Sequence, residues 1–223
     1  MQGSPASASR SSEPRRRLSS GERRQQLLDI AMRQFAEHGF SGTRTRAIAE
    51  AAGINEALLF RYFARKEDLY AAILDHKASL ARTDQWVDEL ERAAKAGGDA
   101  AMVARLVTLI VQHLERDPDF LRLMLHSALE SHELATDFRD RHYAPLYAFL
   151  LNYVERAQRS GRYRRGSSHA VVRFMLAVPI YHMLSETLLP MQRMNGGTPI
   201  AVYADLILGG VMSRRASRKD KPA

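Results

Sequence analysis

The stretch Thr43–Lys66, TRTRAIAEAAGINEALLFRYFARK, constrains the fold of this chain more than any other segment. It contains two short helical patterns, and Gly53 between them can supply the positive φ of a sharp turn. Asn55 then stands as a candidate N-cap of the second pattern. Leu59 and Phe63 recur there at the four-residue spacing of a buried helix face. The stretch therefore predicts two helices joined by a tight turn.

The other faces of the second helix are basic and aromatic. Phe60, Arg61 and Tyr62 are expected on the outside together, which is unusual unless that face meets a ligand. Residues 1–66 carry 12 Lys and Arg against 6 Asp and Glu, whereas residues 67–212 carry 16 against 18. Basic solubilising ends would explain residues 1–20 and 213–223 equally well, but not the motif between them. The charge distribution therefore points to a polyanion bound near the N-terminal end.

Helical patterns continue on both sides of this stretch. Upstream, Ser20 is a candidate N-cap of a helix that ends at Gly39, and Thr43 and Thr45 are candidate caps of the next one. Downstream, a long pattern runs from Lys66 to the glycine pair at 97–98.

Later segments repeat this period. Pro118 is placed to open a helix, and Pro145 is expected to kink or break a helix over residues 133–160. Two strongly apolar patterns follow at Ser168–Leu189 and Ile200–Met212. No segment alternates as a strand would, so the sequence predicts an all-α chain of about nine helices.

Several functional classes lack support in the sequence. The chain has no Cys, which excludes disulfides and thiolate chemistry and fits a reducing cytoplasm. Its eight His show no H-x-x-x-H spacing, so we expect neither a metal nor another cofactor. There is no G-x-S-x-G and no phosphate-cradling glycine loop, so an enzyme is not expected. No secretory signal is visible, and the longest apolar run, Phe174–Ile180, is too short to cross a bilayer.

A set of residues at fixed spacings resembles the TetR family of bacterial transcriptional regulators. The motifs are Phe35–Phe40 (F-x-x-x-G-F), Thr45–Gly53 (T-x-x-I-A-x-x-A-G), Phe60–Phe63 and Lys66–Leu69. They lie within residues 22–75, about a quarter of the chain. The resemblance implies a three-helix helix-turn-helix DNA-binding domain, followed by a larger helical domain that binds a small molecule and forms a homodimer.

With this resemblance the chain divides into four parts. Residues 1–20 are expected to be a disordered basic arm, and residues 21–66 the helix-turn-helix domain. Residues 67–213 are expected to form the ligand-binding and dimerisation domain, and residues 214–223 a disordered basic tail. Whether the arginines at 15–17 of the arm contact DNA stays open.

The resemblance also implies DNA contacts at matching positions. Thr45 falls on a phosphate and Arg46 on a base, for which arginine is the usual bidentate partner of guanine. The full predicted set is Arg44, Thr45, Arg46, Asn55, Glu56, Ala57, Leu58, Phe60, Arg61, Tyr62 and Lys66. Three residues depart from the family pattern. Phe60 replaces a Tyr and loses a phosphate hydrogen bond, Arg65 replaces a capping Ser or Asn, and Asn55 replaces a Ser.

A ligand pocket is expected between the central helices of the second domain. Apolar walls with a few polar groups are the usual composition of such sites. The predicted lining is Met124, Tyr147, Phe174 and Tyr181 as walls, with His126 and His182 as polar points.

The sequence thus predicts a cytoplasmic regulator, most simply a repressor released from a palindromic operator by a small-molecule effector. Ligand binding is expected to move the helix after Lys66. Two alternatives from other classes are a basic helical adaptor on an anionic membrane and, less consistent with the residues, an enzyme. The operator, the effector and the sign of regulation are not encoded in any motif.

Overall fold

The computed structural model describes residues 18–130, 136, 140–189 and 199–213. Across these residues the regular structure consists of nine α-helices and one short 3₁₀ helix, and one isolated bridge joins Tyr163 to Met212. The prediction of an all-α chain with about nine helices is confirmed. Most of the predicted basic arm, the predicted basic tail from residue 214 and residues 190–198 lie outside the described residues.

Four helices form the N-terminal part of the fold. They are α1 (Ser20–Gly42), α2 (Thr45–Ala51), α3 (Glu56–Tyr62) and α4 (Lys66–Ala81). The N-cap of α1 is Ser19 rather than the predicted Ser20. The Ser19 hydroxyl accepts from the Glu22 N–H at 3.2 Å, and the Glu22 carboxylate accepts from the Ser19 N–H at 2.8 Å. The position of Glu22 three residues on selects Ser19, because only that pair closes a capping box.

The prediction that Thr43 caps α2 is wrong. Thr43 is buried, and its hydroxyl lies 2.8 Å from the carbonyl oxygen of Gly39 and 3.0 Å from that of Gln34. It therefore closes the C-terminal end of α1, where carbonyl groups lack partners within the helix. The N-cap of α2 is Arg44, which makes no side-chain capping bond, and Thr45 is the first helical residue.

The predicted turn between α2 and α3 is confirmed. Gly53 has φ 67°, and the next N–H, that of Ile54, donates to the Ala49 carbonyl at 3.0 Å. Asn55 caps α3 as predicted, because its side-chain oxygen accepts from the Leu58 N–H at 2.8 Å. These bonds fix α3 at an angle to α2, so that Leu59 and Phe63 are buried and the opposite face is exposed.

The N-terminal core extends beyond the first three helices. Five buried residues of α4 belong to it: Leu69, Tyr70, Ile73, Leu74 and Ala78. Two further members, Phe120 and Leu123, come from helix α6 (Pro118–Leu129) in the second half of the chain. The packing of the N-terminal helices is therefore completed by a helix about fifty residues later in the sequence.

The second half is built from five α-helices around its own core. Besides α6 these are α5 (Trp86–Arg116), α7 (Ala144–Arg159), α8 (Ser168–Thr187) and α9 (Ile200–Val211). Buried Leu, Val, Ile and Met side chains from all five helices fill this second core. None of the helices in the described ranges is long and apolar enough to span a membrane.

The long helix predicted from Lys66 to the glycine pair is two helices. Helix α4 ends at Ala81 because Arg82 adopts a left-handed conformation (φ 53°), and the 3₁₀ turn Thr83–Gln85 leads into α5. Apolar periodicity continues across this break, so it gave no signal of an end. The break predicted at 97–98 is present as a kink, since both glycines leave helical geometry within α5.

Pro145 marks the predicted break, because residues 140–142 are helical, Tyr143 is a turn residue and α7 begins at Ala144. It lies in the first turn of α7, where the missing N–H would have had no partner in any case. Most of residues 133–139, over which the helix was predicted to begin, lie outside the described residues. Pro179, in contrast, lies inside α8, which continues through it.

The turn at Gly53 gives a direct test of this fold. A Cβ built on Gly53 has no heavy atom within 4 Å, so the only cost of a side chain is the positive φ. We expect Gly53→Ala to lower the free energy of unfolding by about 1–2 kcal/mol. Gly53→Asn should cost less, because Asn tolerates this conformation better. Urea unfolding followed by circular dichroism measures both. An Asn variant as unstable as the Ala variant would contradict the assigned strain.

Candidate nucleic-acid interface and cavity

The start of α2 exposes two arginines on either side of Thr45. Arg44 is exposed and has no ion-pair partner among the described residues. The Nε of Arg46 donates to the Glu50 carboxylate at 2.9 Å, and this bond raises the pKa of Arg46. Both partners are largely exposed, so the pair is weak and leaves the guanidinium free to exchange it for another acceptor.

The first turn of α3 is tied to α2 through a side-chain bond. The Thr45 hydroxyl donates to the Glu56 carboxylate at 2.5 Å. Asn55 uses its side-chain oxygen as the helix cap, so only its NH₂ group remains to contact a ligand. Ala57 is exposed and Leu58 is half-buried. The predicted base-reading edge, residues 55–58, therefore presents one amide, one engaged carboxylate and two small apolar surfaces.

The outer face of α3 carries the predicted aromatic and basic residues. Phe60 is 41% exposed, and Arg61 is exposed without an ion-pair partner among the described residues. Tyr62 is half-buried and packs against the N-terminal core. The face therefore offers one free cation and one free aromatic ring. Such a pair suits contact with a phosphate backbone and an adjacent thymine methyl.

Lys66 begins α4 beneath this face. Its ammonium lies 4.4 Å from the centre of the Phe40 ring, a cation–π geometry. Partial burial lowers the pKa of Lys66. Its predicted phosphate contact stays a prediction, and the aromatic support from Phe40 was not foreseen from the sequence.

Arg65 retains part of a helix cap, although the sequence suggested that the cap was lost. The Asp68 carboxylate accepts from the Arg65 backbone N–H at 3.1 Å and from its guanidinium at 3.0 Å. This is the reciprocal half of a capping box, in which the third helical residue reaches back to the N-cap. Asp68 therefore satisfies the Arg65 N–H, whereas no side chain at the N-cap accepts from the first turn of α4 as a Ser or Asn would.

A carboxylate from the second half of the chain binds the end of α1. Glu130, the residue after α6, accepts from the backbone N–H groups of Phe40 at 3.1 Å and Ser41 at 3.2 Å. Gly39 lies against this carboxylate with φ 72°, and a Cβ there would collide with the Glu130 side chain. Only glycine satisfies both the left-handed backbone and the close approach.

A second bond joins the same helices deeper in the structure. The hydroxyls of Tyr70 in α4 and Ser127 in α6 are hydrogen-bonded and buried, and burial raises the pKa of Tyr70 to about 12. Tyr70 also packs edge-on against Phe35 and Phe40. Helix α6 is therefore fixed to the N-terminal helices by apolar packing, a buried hydroxyl pair and a charge-assisted bond.

A cavity of about 870 Å³ lies on the other side of α6. This volume is within the range of about 300–1,000 Å³ typical of small-molecule sites. Its walls come from α5, α6, α7 and α8 and are mostly apolar. The lining residues that carry polar or aromatic groups are Trp86, His113, Phe120, Asp140, Tyr143, Tyr147, His169 and Arg173.

Two of the six predicted pocket residues line this cavity, namely Met124 and Tyr147. His126 instead lines a smaller cavity of about 480 Å³ beside α1. The other three lie on other faces of α8. Phe174 and Tyr181 are exposed at 43% and 55%, and His182 is buried and hydrogen-bonded to Tyr203 at 3.0 Å. Helical periodicity identified these residues as apolar or aromatic but could not assign each to a face.

Sequence reasoning missed several residues that the structure places at these sites. Trp86 and His113 line the cavity from α5, and Glu130 joins the two halves across about ninety residues. Arg173 did carry a signal, because it is the one Lys or Arg in the apolar segment Ser168–Leu189. In the part of the chain that the structure describes, no group of three His, Asp or Glu could hold a metal ion.

Comparison with known proteins adds independent information. Residues 27–73 match the profile of the bacterial regulatory proteins of the tetR family. The regulator AcrR of Shigella flexneri is 36% identical over 90 residues, which are 40% of this chain. The chain spans only 40% of the length of AcrR in this match.

Similarity among solved structures extends over most of the chain. A TetR family transcription regulator from Marinobacter aquaeolei is 27% identical, with a TM-score of 0.61 over 86% of this chain and 96% of that one. AibR in complex with isovaleryl coenzyme A and operator DNA is 18% identical, with a TM-score of 0.62 over 86% and 98% of the two chains. At this identity the second likeness concerns the fold alone.

The Glu130 contact can be tested by amide hydrogen exchange. Glu130→Ala removes the acceptor of two backbone N–H groups, so the amides of Phe40 and Ser41 should exchange roughly fivefold faster or more, as expected for the loss of about one net hydrogen bond each. Glu155→Ala, which removes a carboxylate on α7, should leave both amides unchanged. Equal exchange in the wild type and the Glu130 variant would contradict the contact.

Proposed function

Because the chain belongs to the tetR family of bacterial regulatory proteins, we propose that it is a homodimeric transcriptional repressor that a small-molecule effector releases from operator DNA. The observation that carries this proposal is the double role of helix α6. It contributes Phe120 and Leu123 to the core that supports the helix-turn-helix, and Met124 and Leu125 to the wall of the large cavity.

DNA binding is assigned to the exposed surface of α2, α3 and the start of α4. Arg46, on the exposed side of α2, reads a base, and the Asn55–Leu58 edge approaches base edges in the major groove. Thr45, Phe60, Tyr62 and Lys66 hold the phosphate backbone, and Arg44 and Arg61 add charge to that contact. Support comes from the family match over residues 27–73 and from Arg44 and Arg61, which are exposed on this surface and form no ion pair with a described residue.

The effector acts through α6 in this proposal, which revises the expectation that the helix after Lys66 responds first. No residue of α4 lines the large cavity, whereas four residues of α6 do. A ligand that shifts α6 would move Glu130 and Ser127, and with them the end of α1 and Tyr70 of α4. The distance between the two recognition helices of the dimer would then change. DNA and effector would oppose each other through one coupling free energy.

Dimerisation is assigned to α8 and α9. Their outer faces carry large apolar side chains that the single chain leaves in solvent: Phe174 and Tyr181 on α8, and Val202 and Leu206 on α9. Large apolar side chains exposed on two helices that contact each other indicate an interaction site. A two-fold axis through these helices would place two recognition helices on a near-palindromic operator, with half-sites about 34 Å apart.

We propose no catalytic role for the chain, and we place it in the bacterial cytoplasm because operator DNA is there. The relatives named above are transcriptional regulators. The membrane-adaptor alternative makes a different prediction, since it requires binding to anionic vesicles rather than base-pair-dependent binding to duplex DNA.

Selection of random duplexes by the purified protein tests the function directly. We expect a near-palindromic motif. Arg46→Ala should relax base preference at one position of each half-site, by about 1–3 kcal/mol of lost discrimination. Lys66→Ala should weaken binding to all sequences alike and reduce the slope of log affinity against log salt by about 1.

Lys95→Ala is the matched control for these variants, because Lys95 is a highly exposed cation on α5 and belongs to none of the assigned contacts. It should leave affinity and motif unchanged. Recovery of no enriched motif by the wild type would overturn the proposed function. Equal weakening of cognate and scrambled DNA by the Arg46 variant would overturn its assigned role.

The dimer surface is tested by Leu206→Glu. Leu206 is 59% exposed, so the substitution leaves the folded chain intact but puts a charge into the proposed interface. Sedimentation should show a monomer, and operator affinity should fall with it. Leu80→Glu is the matched control, since Leu80 is equally exposed at 63% but lies on α4. A dimeric Leu206 variant would place the interface elsewhere.

A further inference from the structure

Helix α8 presents three distinct faces. His169, Arg173, Leu176 and Ile180 follow one another at spacings of three or four residues and line the large cavity. A second face, with Val172, Met175 and Met183, is buried in the core. The third face carries the exposed Phe174 and Tyr181. The cavity face is therefore separate from the surface assigned to dimerisation.

The cavity face of α8 carries a permanent positive charge. Arg173 is exposed at the edge of the cavity and has no ion-pair partner among the described residues. One turn before it, His169 accepts or donates a hydrogen bond at 3.0 Å with the Tyr147 hydroxyl. Arg173 is the one Lys or Arg of α8 and forms no ion pair with a described residue, so its five donors at the rim of the cavity are available to an anionic ligand.

The deeper part of the cavity is uncharged. His113 lies 3.4 Å from the Tyr143 hydroxyl and packs edge-on against Trp86. Burial lowers the pKa of His113, so its imidazole is neutral at pH 7. The remaining walls here are apolar, among them Leu114, Phe120 and Leu121. This region can accept an apolar body but offers no charge to a second ionic group.

We propose that the effector is an apolar carboxylate, whose anionic group binds Arg173 beside His169 and whose apolar body lies against Trp86, Phe120 and Met124. The planar guanidinium matches the two oxygens of a carboxylate. Among the described residues, Asp140 is the one carboxylate of the cavity lining, and it is engaged in an interaction of its own. If Asp140 rather than Arg173 bound the head group of the ligand, the cavity would prefer a cationic ligand. This inference rests on the proposed effector role of the cavity.

Trp86 provides a direct signal of occupancy, because it is the single Trp of the chain and lines the cavity. The probes are dodecanoate, 1-dodecanol and dodecylamine below their aggregation concentrations. Their chains match, and only the charge of the head group differs. We expect dodecanoate to change Trp86 fluorescence at a concentration about tenfold lower than dodecanol, as expected for one charge-assisted contact. Dodecylamine should bind no better than dodecanol.

Variants at position 173 test whether Arg173 causes the preference for dodecanoate over dodecanol. Arg173→Gln should remove most of the advantage of dodecanoate while leaving dodecanol binding unchanged, and Arg173→Lys should keep part of it. Arg159→Gln is the matched control, since Arg159 is an exposed arginine of α7 that does not line the cavity. Circular dichroism verifies that each variant is folded.

Three outcomes would overturn the proposal. They are equal binding of acid and alcohol, tightest binding of the amine, and a dodecanoate preference that survives Arg173→Gln. Operator release, measured separately, distinguishes this inference from the proposed function. Occupancy reported by Trp86 without DNA release would refute the effector role but leave the carboxylate specificity standing. Equal release of DNA by dodecanol and dodecanoate would support the effector role but refute the carboxylate specificity.

Discussion

The structure depends on one helix that is shared by two cores. Phe120 and Leu123 of α6 are fully buried among the N-terminal helices, while neighbouring side chains of the same helix line the large cavity. Since the N-terminal core is close-packed, a displacement of α6 toward it must move the helices that it contacts there. In the proposed regulator, a ligand that displaces α6 from the cavity side would therefore also change the orientation of the helix-turn-helix.

Polar contacts also restrict how α6 can move relative to α1 and α4. Glu130 binds two N–H groups just before Thr43, whose hydroxyl closes α1, and Tyr70 binds Ser127 within the interface. Charge-assisted and buried bonds have narrow geometry, so they hold α6 in register with α1 and α4 instead of letting it slide. The same end of α1 carries Phe40, which supports Lys66 at the proposed DNA surface. A movement of the Glu130 carboxylate would therefore be passed through Phe40 to Lys66 at the proposed DNA surface.

The division of α8 into faces explains why only two of the six residues predicted for the pocket line the large cavity. Met124 and Tyr147 line the cavity, but Phe174 and Tyr181 face outward and His182 pairs with Tyr203. A helix that is apolar nearly all round has no periodic signal to mark which face meets the core, a ligand or a partner chain. Arg173 is the residue that breaks this uniformity, and it lies on the cavity face.

The local elements of the N-terminal half could be predicted from the residues alone. Gly53 requires a positive φ, Asn55 caps α3, and Leu59 and Phe63 recur at helical spacing, all of which depend on near neighbours. The all-α class and the surface candidates of the helix-turn-helix could be predicted in the same way. The contact of Glu130 with Gly39, and the cavity that Trp86, His113 and Arg173 share, became visible only in the folded chain. These contacts join residues that are tens of positions apart, and their energies arise from packing and desolvation, which leave no short-range pattern in a single sequence.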